Sequence, residues 1–290
     1  MLSIVITTYK EERTIGKAID SIISQKIPEK YELIIVCPDQ PTIQIIKKYM
    51  LKYKQIKLIK DKDKGKPAAL NLVFKKAKGR ILILTDGDVF LENGSIKKLL
   101  DGFTSSEIGA VCGRPIATNP RNTKMGYWAH LLADAAHEKR LESKNKFILC
   151  SGYLYAIKNI IDKIPINVLD DSAISHLIAQ KGYKINYVPS AKVYVKFPET
   201  FSDWIKQKKR NAGGDHQLGK IIKKKQEMRS FLKESSHFWF PFKYSKNFKE
   251  FCWSFLILFA RLYLWFLIFI DFKLRKKNLK QIWVRIDSTK

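Results

Sequence analysis

The chain is 290 residues long and 46% hydrophobic, with 54 Lys and Arg against 27 Asp and Glu, a formal net charge of +27. That length and apolar content are enough for a full core, in one catalytic domain plus an appendage. The charge excess calls for an anionic partner, such as a nucleic acid, a phospholipid surface or a phosphorylated substrate, with a lysine-rich proteome as the bland alternative. Cys37, Cys112, Cys150 and Cys252 lie far apart, which excludes a CxxC pair or a zinc-spaced Cys/His cluster. Reduced, buried thiols are expected. The opening MLSIVITTYKEE lacks a basic n-region and a long apolar h-region, so no signal peptide is expected.

The first hundred residues alternate short apolar runs with helical patterns. SIVITTY, YELIIVC, IKLIK and RILILT are rich in β-branched residues. Their near-continuous apolar character suits parallel strands covered on both faces. Between them, EERTIGKAIDSIISQ spaces Ile15, Ala18, Ile19, Ile22 and Ile23 along one helical face. PTIQIIKKYMLKY and GKPAALNLVFKKAKG read the same way. The alternation predicts βαβ units and an α/β fold with a mainly parallel, doubly wound sheet flanked by helices. In such sheets ligands bind at the carboxyl ends of the strands. That rim receives Thr7, Thr8 and Tyr9 after the first strand, Asp39 after the second, and Asp86 and Asp88 after the fourth.

Beyond residue 105 the pattern loosens. IGAVCG and KFILCSGYLYAI read as strands, with a long helix near 122–142 between them. LDDSAISHLIAQKGYKINYVP reads as a helix, a stop at Gly182 and another strand. WIKQKKRNAGGDHQLGKIIKKK is strongly basic. The last section changes character. FCWSFLILFARLYLWFLIFI, residues 251–270, contains one charge, Arg261. A membrane-spanning helix needs roughly 20 such residues; a buried core helix is the alternative. Lys243, Lys246 and Lys249 precede the run, and Lys273, Arg275, Lys276, Lys277, Lys280 and Arg285 follow it. The positive-inside rule therefore disfavours sending either end outward. An arginine in the hydrocarbon core costs about 2.5–3.5 kcal/mol on insertion scales. Ser254 and Arg261, seven residues apart, share a helical face suited to packing on protein. The expected division is a catalytic domain over 1–230 and an aromatic, basic membrane-association region over 231–290, with the number of crossings open. Basic residues beside an anionic leaflet add about 1 kcal/mol each.

Several constellations carry chemistry. Asp86 and Asp88 flank a glycine at a strand end, where two carboxylates suit a hard divalent cation that bridges diphosphate oxygens. A solvated DG turn is the plain alternative. Gly65 and Lys66 stand at a helix start, where amides and a cation suit an anion. Asp39 can accept hydrogen bonds from a base or ribose. No P-loop and no dinucleotide fingerprint occurs. Asp170 and Asp171 open a helix, where the dipole favours acids for capping alone, and a general base for a hydroxyl would also be a carboxylate. Gln207, Lys208, Lys209 and Arg210 make either a solvated basic face or a clamp for a diphosphate.

SIVITTYKEERTIGKAIDSIISQ, VCPDQP, GKPAALN, TDGD, GAVCGRP, SGYLYAIK, DD and QKKRNAGG follow one another in the order seen in family 2 glycosyltransferases. The chain resembles that family over roughly residues 2–215. The resemblance implies a GT-A (Rossmann-like) fold, with the C-terminal hydrophobic helix appended. It implies a nucleotide-diphospho-sugar donor, UDP-linked by family habit, and Mn2+ or Mg2+. Thr7, Thr8, Tyr9 and Glu11 would line the nucleoside pocket, Asp39 would contact the base, and Lys66 would reach the nucleotide region. Asp86 and Asp88 resemble the DxD motif, with Asp88 the more direct metal ligand. Asp171 matches the base of the ED motif, whose first position is Asp170 here. Gln207 and Arg210 resemble the QxxRW motif, but its tryptophan is Asn211, which puts processive polymerisation in doubt. The acceptor implied is lipid-linked, a glycan or a polysaccharide, at an anionic membrane, with the catalytic domain on the cytoplasmic side and no nucleic-acid partner. A sugar-phosphate nucleotidyltransferase would want a Gly-rich loop after the first strand, which TTYKEERT does not supply. A non-catalytic basic module for nucleic acid or membrane would leave the acidic strand ends unexplained.

Overall fold

The computed structural model describes residues 1–143, 147–221, 239–275 and 286–289. Four parallel strands form the first half of the sheet: β1 (Leu2–Thr7), β2 (Tyr31–Cys37), β3 (Ile56–Lys60) and β4 (Ile81–Asp86), side by side in the order β3-β2-β1-β4. Helices α1 (Ile15–Ile23), α2 (Gln40–Lys52) and α3 (Lys66–Lys76) connect them. The strands alternate between two cores, as the two-residue period of a strand requires. Ile4 and Ile6 of β1 pack with Ile15, Ile19 and Ile22 of α1 on one face. Val5 packs with Leu70 and Val73 of α3 on the other. A fully buried isoleucine contributes about 1.5–3 kcal/mol, so these two layers carry much of the stability.

The second half turns the sheet mixed. After β5 (Val89–Leu91) and α4 (Ser95–Asp101) come β6 (Ile108–Ala117), α5 (Lys124–Glu142), β7 (Leu154–Lys158), α6 (Asp170–Gln180) and β8 (Lys184–Val195). β7 runs antiparallel between β4 and β6, β8 is parallel to β6, and the short β5 closes the order β4-β7-β6-β8-β5. The mixed, mainly parallel α/β sheet is the one the sequence predicts. One expectation fails. KFILCSGYLYAI does not form one strand: only Leu154–Lys158 does. The segment before it bonds to side chains instead of a ladder. The Cys150 N–H donates to Ser175 Oγ at 2.9 Å, and Tyr153 O accepts from Thr85 Oγ1 at 2.8 Å. Its apolar run exists because Ile148, Leu149 and Cys150 are buried under α6, not because it is pleated.

A third layer covers one end. α7 (Phe201–Ile221), α8 (Phe240–Tyr244) and α9 (Phe248–Phe269) pack with α5, and α9 continues into a π-helical turn, Ile270–Leu274. Tyr127, Trp128 and Leu131 of α5, Trp204 of α7, and Ile257, Ala260 and Leu264 of α9 share one apolar cluster. The helix expected at 251–270 is α9. The boundary expected at residue 230, and Lys276, Lys277, Lys280 and Arg285, lie outside the described residues. Cys37, Cys112 and Cys150 are buried free thiols, as expected, but Cys252 is exposed, because it falls on the outer side of α9.

Candidate active site

The site is built on the carboxyl rim. Thr7 ends β1 directly beside Asp86 of β4. Its hydroxyl donates to Asp86 Oδ1 at 2.9 Å, and the Gly87 N–H donates to Thr7 O at 3.0 Å. The DGD turn is thus folded down over the end of β1. A Cβ on Gly87 would stand 2.3 Å from Glu11 Oε2 and 2.6 Å from Thr8 Oγ1, so only glycine fits between the two carboxylates of the motif. Thr8 Oγ1 donates to Glu11 Oε2 at 2.8 Å, and the Glu11 N–H donates to Thr42 Oγ1 at 3.0 Å. Thr7, Thr8 and Glu11 are buried; they brace the turn from beneath. Tyr9 is half-buried, with the Lys10 ammonium 5.2 Å from its ring centre.

Asp39 is the N-cap of α2. It accepts the Thr42 N–H at 3.1 Å and the Lys10 N–H at 2.7 Å, the latter from a left-handed residue with φ 52°. Such a cap is worth about 1 kcal/mol. Burial works against the Asp39 carboxylate, but these donors outweigh it and hold the group below the usual aspartate range. It accepts from the backbone of the β1–α1 loop and of α2 and from the Cys37 thiol, bonds that fix the rim's shape. None of the bonds described joins it to Asp86, Asp170 or Lys66.

Lys66 is the first residue of α3, after Gly65 at φ 87°. Its ammonium lies 2.8 Å from Asp86 Oδ1 and 3.1 Å from Asp170 Oδ2, and donates to Gly152 O at 3.5 Å. Desolvation disfavours the charged form, yet Asp170 and Asp86 prevail and raise Lys66 above the usual lysine value. It stays an ammonium between two carboxylates 84 positions apart. The anion expected near Lys66 from the sequence is thus already present, as protein carboxylate.

Asp170 and Asp171 open α6, where the helix dipole favours negative charge. Asp170 also accepts from Tyr155 OH at 3.3 Å. Asp171 Oδ1 accepts the Ser172 N–H at 2.7 Å. Its Oδ2 packs against Gly152, where an added Cβ would come within 3.1 Å. Ser172 Oγ donates to Asp215 Oδ1 at 3.1 Å and ties α6 to α7. On α7, Gln207 is buried and Arg210 half-buried. Burial pushes the Tyr153 phenol above its usual range; Arg210 opposes this, while Asp88, Asp86 and Asp171 add to it. Tyr153 therefore stands within the electrostatic reach of the DGD turn, of α6 and of α7 together. Gly152, Tyr153 and Tyr155 are site residues that sequence reading quotes within SGYLYAIK but gives no role. The signal was the SGY triplet itself, two small polar residues and an aromatic breaking an apolar run.

Lys209 and Arg210 have different neighbours. Lys209 pairs with the buried Asp271, beyond α9, whereas Arg210 bears on Tyr153. Successive helix residues point about 100° apart, which divides the basic run between two neighbours. Among the described residues no group of three or more His, Cys, Asp or Glu is placed to hold a metal. Asp86 Oδ1 already takes the Thr7 hydroxyl and the Lys66 ammonium. The donors that Asp86 and Asp88 offer on either side of Gly87 are few and all oxygen. That fits a hard divalent ion taking its other ligands from phosphate and water.

Residues 3–164, more than half of the chain, match the model of the family described as glycosyl transferase family 2. The probable glycosyltransferase YdaM of Bacillus subtilis is 25% identical over 234 residues, 74% of this chain and 55% of that protein. The poly-beta-1,6-N-acetyl-D-glucosamine synthase of Staphylococcus aureus (strain COL) is 24% identical over 228 residues, again 55% of its length. The chain thus spans about half the length of the curated relatives it matches. Among solved structures, the mannosyltransferase PcManGT of Pyrobaculum calidifontis, in complex with GDP-Man and Mn2+, aligns with a TM-score of 0.62 at 18% identity. That alignment covers 97% of this chain and 82% of that one. TarS 1–349 of S. aureus, in complex with UDP-GlcNAc, aligns at 0.51 and 18% identity, covering 73% and 65%. These likenesses show the fold, which is GT-A, and the family match shows that the chain belongs to glycosyl transferase family 2.

Proposed function

We propose that the chain is an inverting glycosyltransferase that moves a sugar from a nucleotide-diphospho-sugar, UDP-linked, to a lipid-linked or glycan acceptor at the membrane. The observation that carries the reading is the Lys66 ammonium joining Asp86 of the DGD turn to Asp170 of α6. One carboxylate of each acidic pair meets the same ammonium, which supports reading the two pairs as one site. The nucleotide sugars bound by the two structural neighbours, GDP-Man and UDP-GlcNAc, support the donor class.

In this mechanism Asp171 accepts the proton of the acceptor hydroxyl. The hydroxyl oxygen bonds to the anomeric carbon as the bond to the diphosphate oxygen breaks, so configuration at that carbon inverts. Asp170 stays paired with Lys66 and holds the start of α6 in place. Arg210 contributes positive charge where the diphosphate departs. A divalent cation, Mn2+ or Mg2+, held by Asp88 and Asp86 would neutralise the diphosphate. Thr7, Thr8, Tyr9 and Glu11 shape the nucleoside side of the rim, with Asp39 fixing the loop that carries Tyr9 and Lys10. Gln207 supports the acceptor side from α7. The apolar C-terminal helix and the basic surface attach the enzyme to an anionic membrane, with the catalytic domain on the cytoplasmic side.

The test is calorimetry of UDP and GDP binding with and without Mn2+, for wild type and Asp88→Ala in detergent solution. Mn2+-dependent binding of UDP that the substitution abolishes is expected. Binding that ignores the metal, or that Asp88→Ala leaves intact, contradicts the assignment of the DGD turn.

A further inference from the structure

Helix α9 is the one helix, among the described residues, long and apolar enough to cross a membrane. Two stripes run along it on opposite sides. Glu250, Ser254, Ile257, Ala260 and Leu264 are buried, and the stripe ends at buried Asp271 in the π-helical turn. Phe248, Phe251, Phe255, Phe259, Leu262, Phe266 and Phe269 are exposed and recur every three or four residues, one continuous face. The buried stripe is bonded to the catalytic domain from end to end. At its start Glu250 receives Arg121 Nε and Nη2, each at 2.9 Å. One turn on, Ser254 Oγ lies 2.7 Å from Tyr127 OH. Trp128 Nε1 donates to Trp253 O at 2.9 Å. Farther along, the exposed Tyr263, beside the stripe, stacks on Phe201 of α7, ring centres 6.4 Å apart. At the far end Asp271 pairs with Lys209, and Phe272 meets His216 at 5.3 Å.

From Glu250 to Asp271 the helix rises about 32 Å at roughly 1.5 Å per residue, close to the roughly 30 Å hydrocarbon thickness. A crossing would put the Arg121–Glu250 and Lys209–Asp271 pairs on opposite sides of the bilayer. α5 and α7 would then be drawn into the hydrocarbon, although α7 also carries Gln207 and Arg210 at the site. We propose that α9 does not cross: it lies in the plane of an anionic bilayer surface, its phenylalanine stripe inserted and its opposite stripe on the catalytic domain. The charges support this occupant over a second copy of the chain. Exposed Lys243, Lys246 and Lys249 flank one end of the stripe and exposed Arg275 the other. In-plane placement brings both ends to the same layer of acidic headgroups; two copies meeting through this stripe would bring their like charges together. The inference deepens the membrane attachment proposed above and rests on it. It also sets α7, with Lys209 between Gln207 and Arg210, near the headgroup plane, so an acceptor presented from the lipid surface fits the site.

The test adds purified full chain to preformed, sealed phosphatidylglycerol/phosphatidylcholine vesicles. Lys246→Cys and Arg275→Cys, each made in a Cys252→Ser background, are probed with a membrane-impermeant maleimide. Labelling of both ends without detergent is expected. Protection of one end until detergent is added shows a crossing and overturns the proposal. Phe259→Glu with Phe266→Glu is expected to weaken vesicle binding at least tenfold while UDP binding stays unchanged. Unchanged vesicle binding by that variant overturns the proposal, and so does a wild type that ignores anionic vesicles and buries the stripe in a dimer. Nucleotide binding is read separately, so failure of the topology and failure of the catalytic reading are distinguishable.

Discussion

The carboxyl rim of the sheet and the α5–α7–α9 layer are held together by different means. On the rim the anchors are short and polar, set on strands whose interior is mostly apolar. Thr7 to Asp86, Gly87 to Thr7 and Lys10 to Asp39 are backbone or near-backbone bonds at strand ends. In the helical layer the anchors are long side chains that reach across more than a hundred residues: Arg121 to Glu250, Tyr127 to Ser254, Trp128 to Trp253. The rim is fixed by topology and the layer by side-chain packing. Perturbing the first should therefore cost function before stability, and perturbing the second stability before function.

Gly87→Ala should separate them most sharply. The added Cβ meets Glu11 Oε2 at 2.3 Å, and relieving such overpacking costs about 1–3 kcal/mol. If the displaced turn charges that cost to binding, nucleotide affinity falls about ten- to a hundredfold in calorimetry, with the melting temperature little changed. Glu250→Ala should do the reverse. It leaves the partly buried Arg121 guanidinium without its carboxylate, worth about 2 kcal/mol. Thermal denaturation should fall by several degrees while the nucleotide dissociation constant holds. Ser254→Ala removes one buried partner of Tyr127 OH and should cost about 1 kcal/mol in denaturant unfolding. Equal effects of Gly87→Ala and Glu250→Ala on affinity would break the contrast.

The smallest effect lies away from both regions. Burial disfavours the Glu32 carboxylate, but Lys57, Ser3 and the Lys78 N–H overcome that and hold it below its ordinary value of 4.5. Its folded value being lowered, its contribution is complete above pH 4.5 and is lost as pH falls through the folded value. Glu32→Gln should lower stability at pH 7, where that contribution is complete, and flatten the stability–pH curve below pH 4.5.

The contrast also explains what was legible in the sequence. Continuous apolar runs and period-3.6 patterns are local, so β1 to β4 could be read directly from SIVITTY, YELIIVC, IKLIK and RILILT, and α1 to α3 from the segments between them. The Asp86–Asp88 and Asp170–Asp171 pairs were legible as carboxylates at element ends. That Lys66 joins them was not, because nothing in GKPAALN says where a flexible four-carbon side chain goes once α6 arrives from a hundred residues away. Residues 147–153 were misread as strand because burial, and not pleating, makes them apolar. Ser254 and Arg261 pointed to a protein-facing stripe on α9; the structure buries Ser254 there and leaves Arg261 half-buried, and the partner Tyr127 could not be named from one chain's pattern. Lys209 and Arg210 looked like one cluster because sequence adjacency hides the turn that separates them.

The central claim is that Asp171, held beside Gly152 at the start of α6, is the base in a site that Lys66 joins together. The most direct measurement is single-turnover sugar transfer from a UDP-sugar by Asp171→Asn, with UDP affinity measured on the same preparation. The account predicts transfer reduced by about a thousandfold or more, with UDP affinity within a factor of about two of wild type. Transfer near the wild-type rate with intact UDP binding would remove Asp171 from the chemistry and contradict the account.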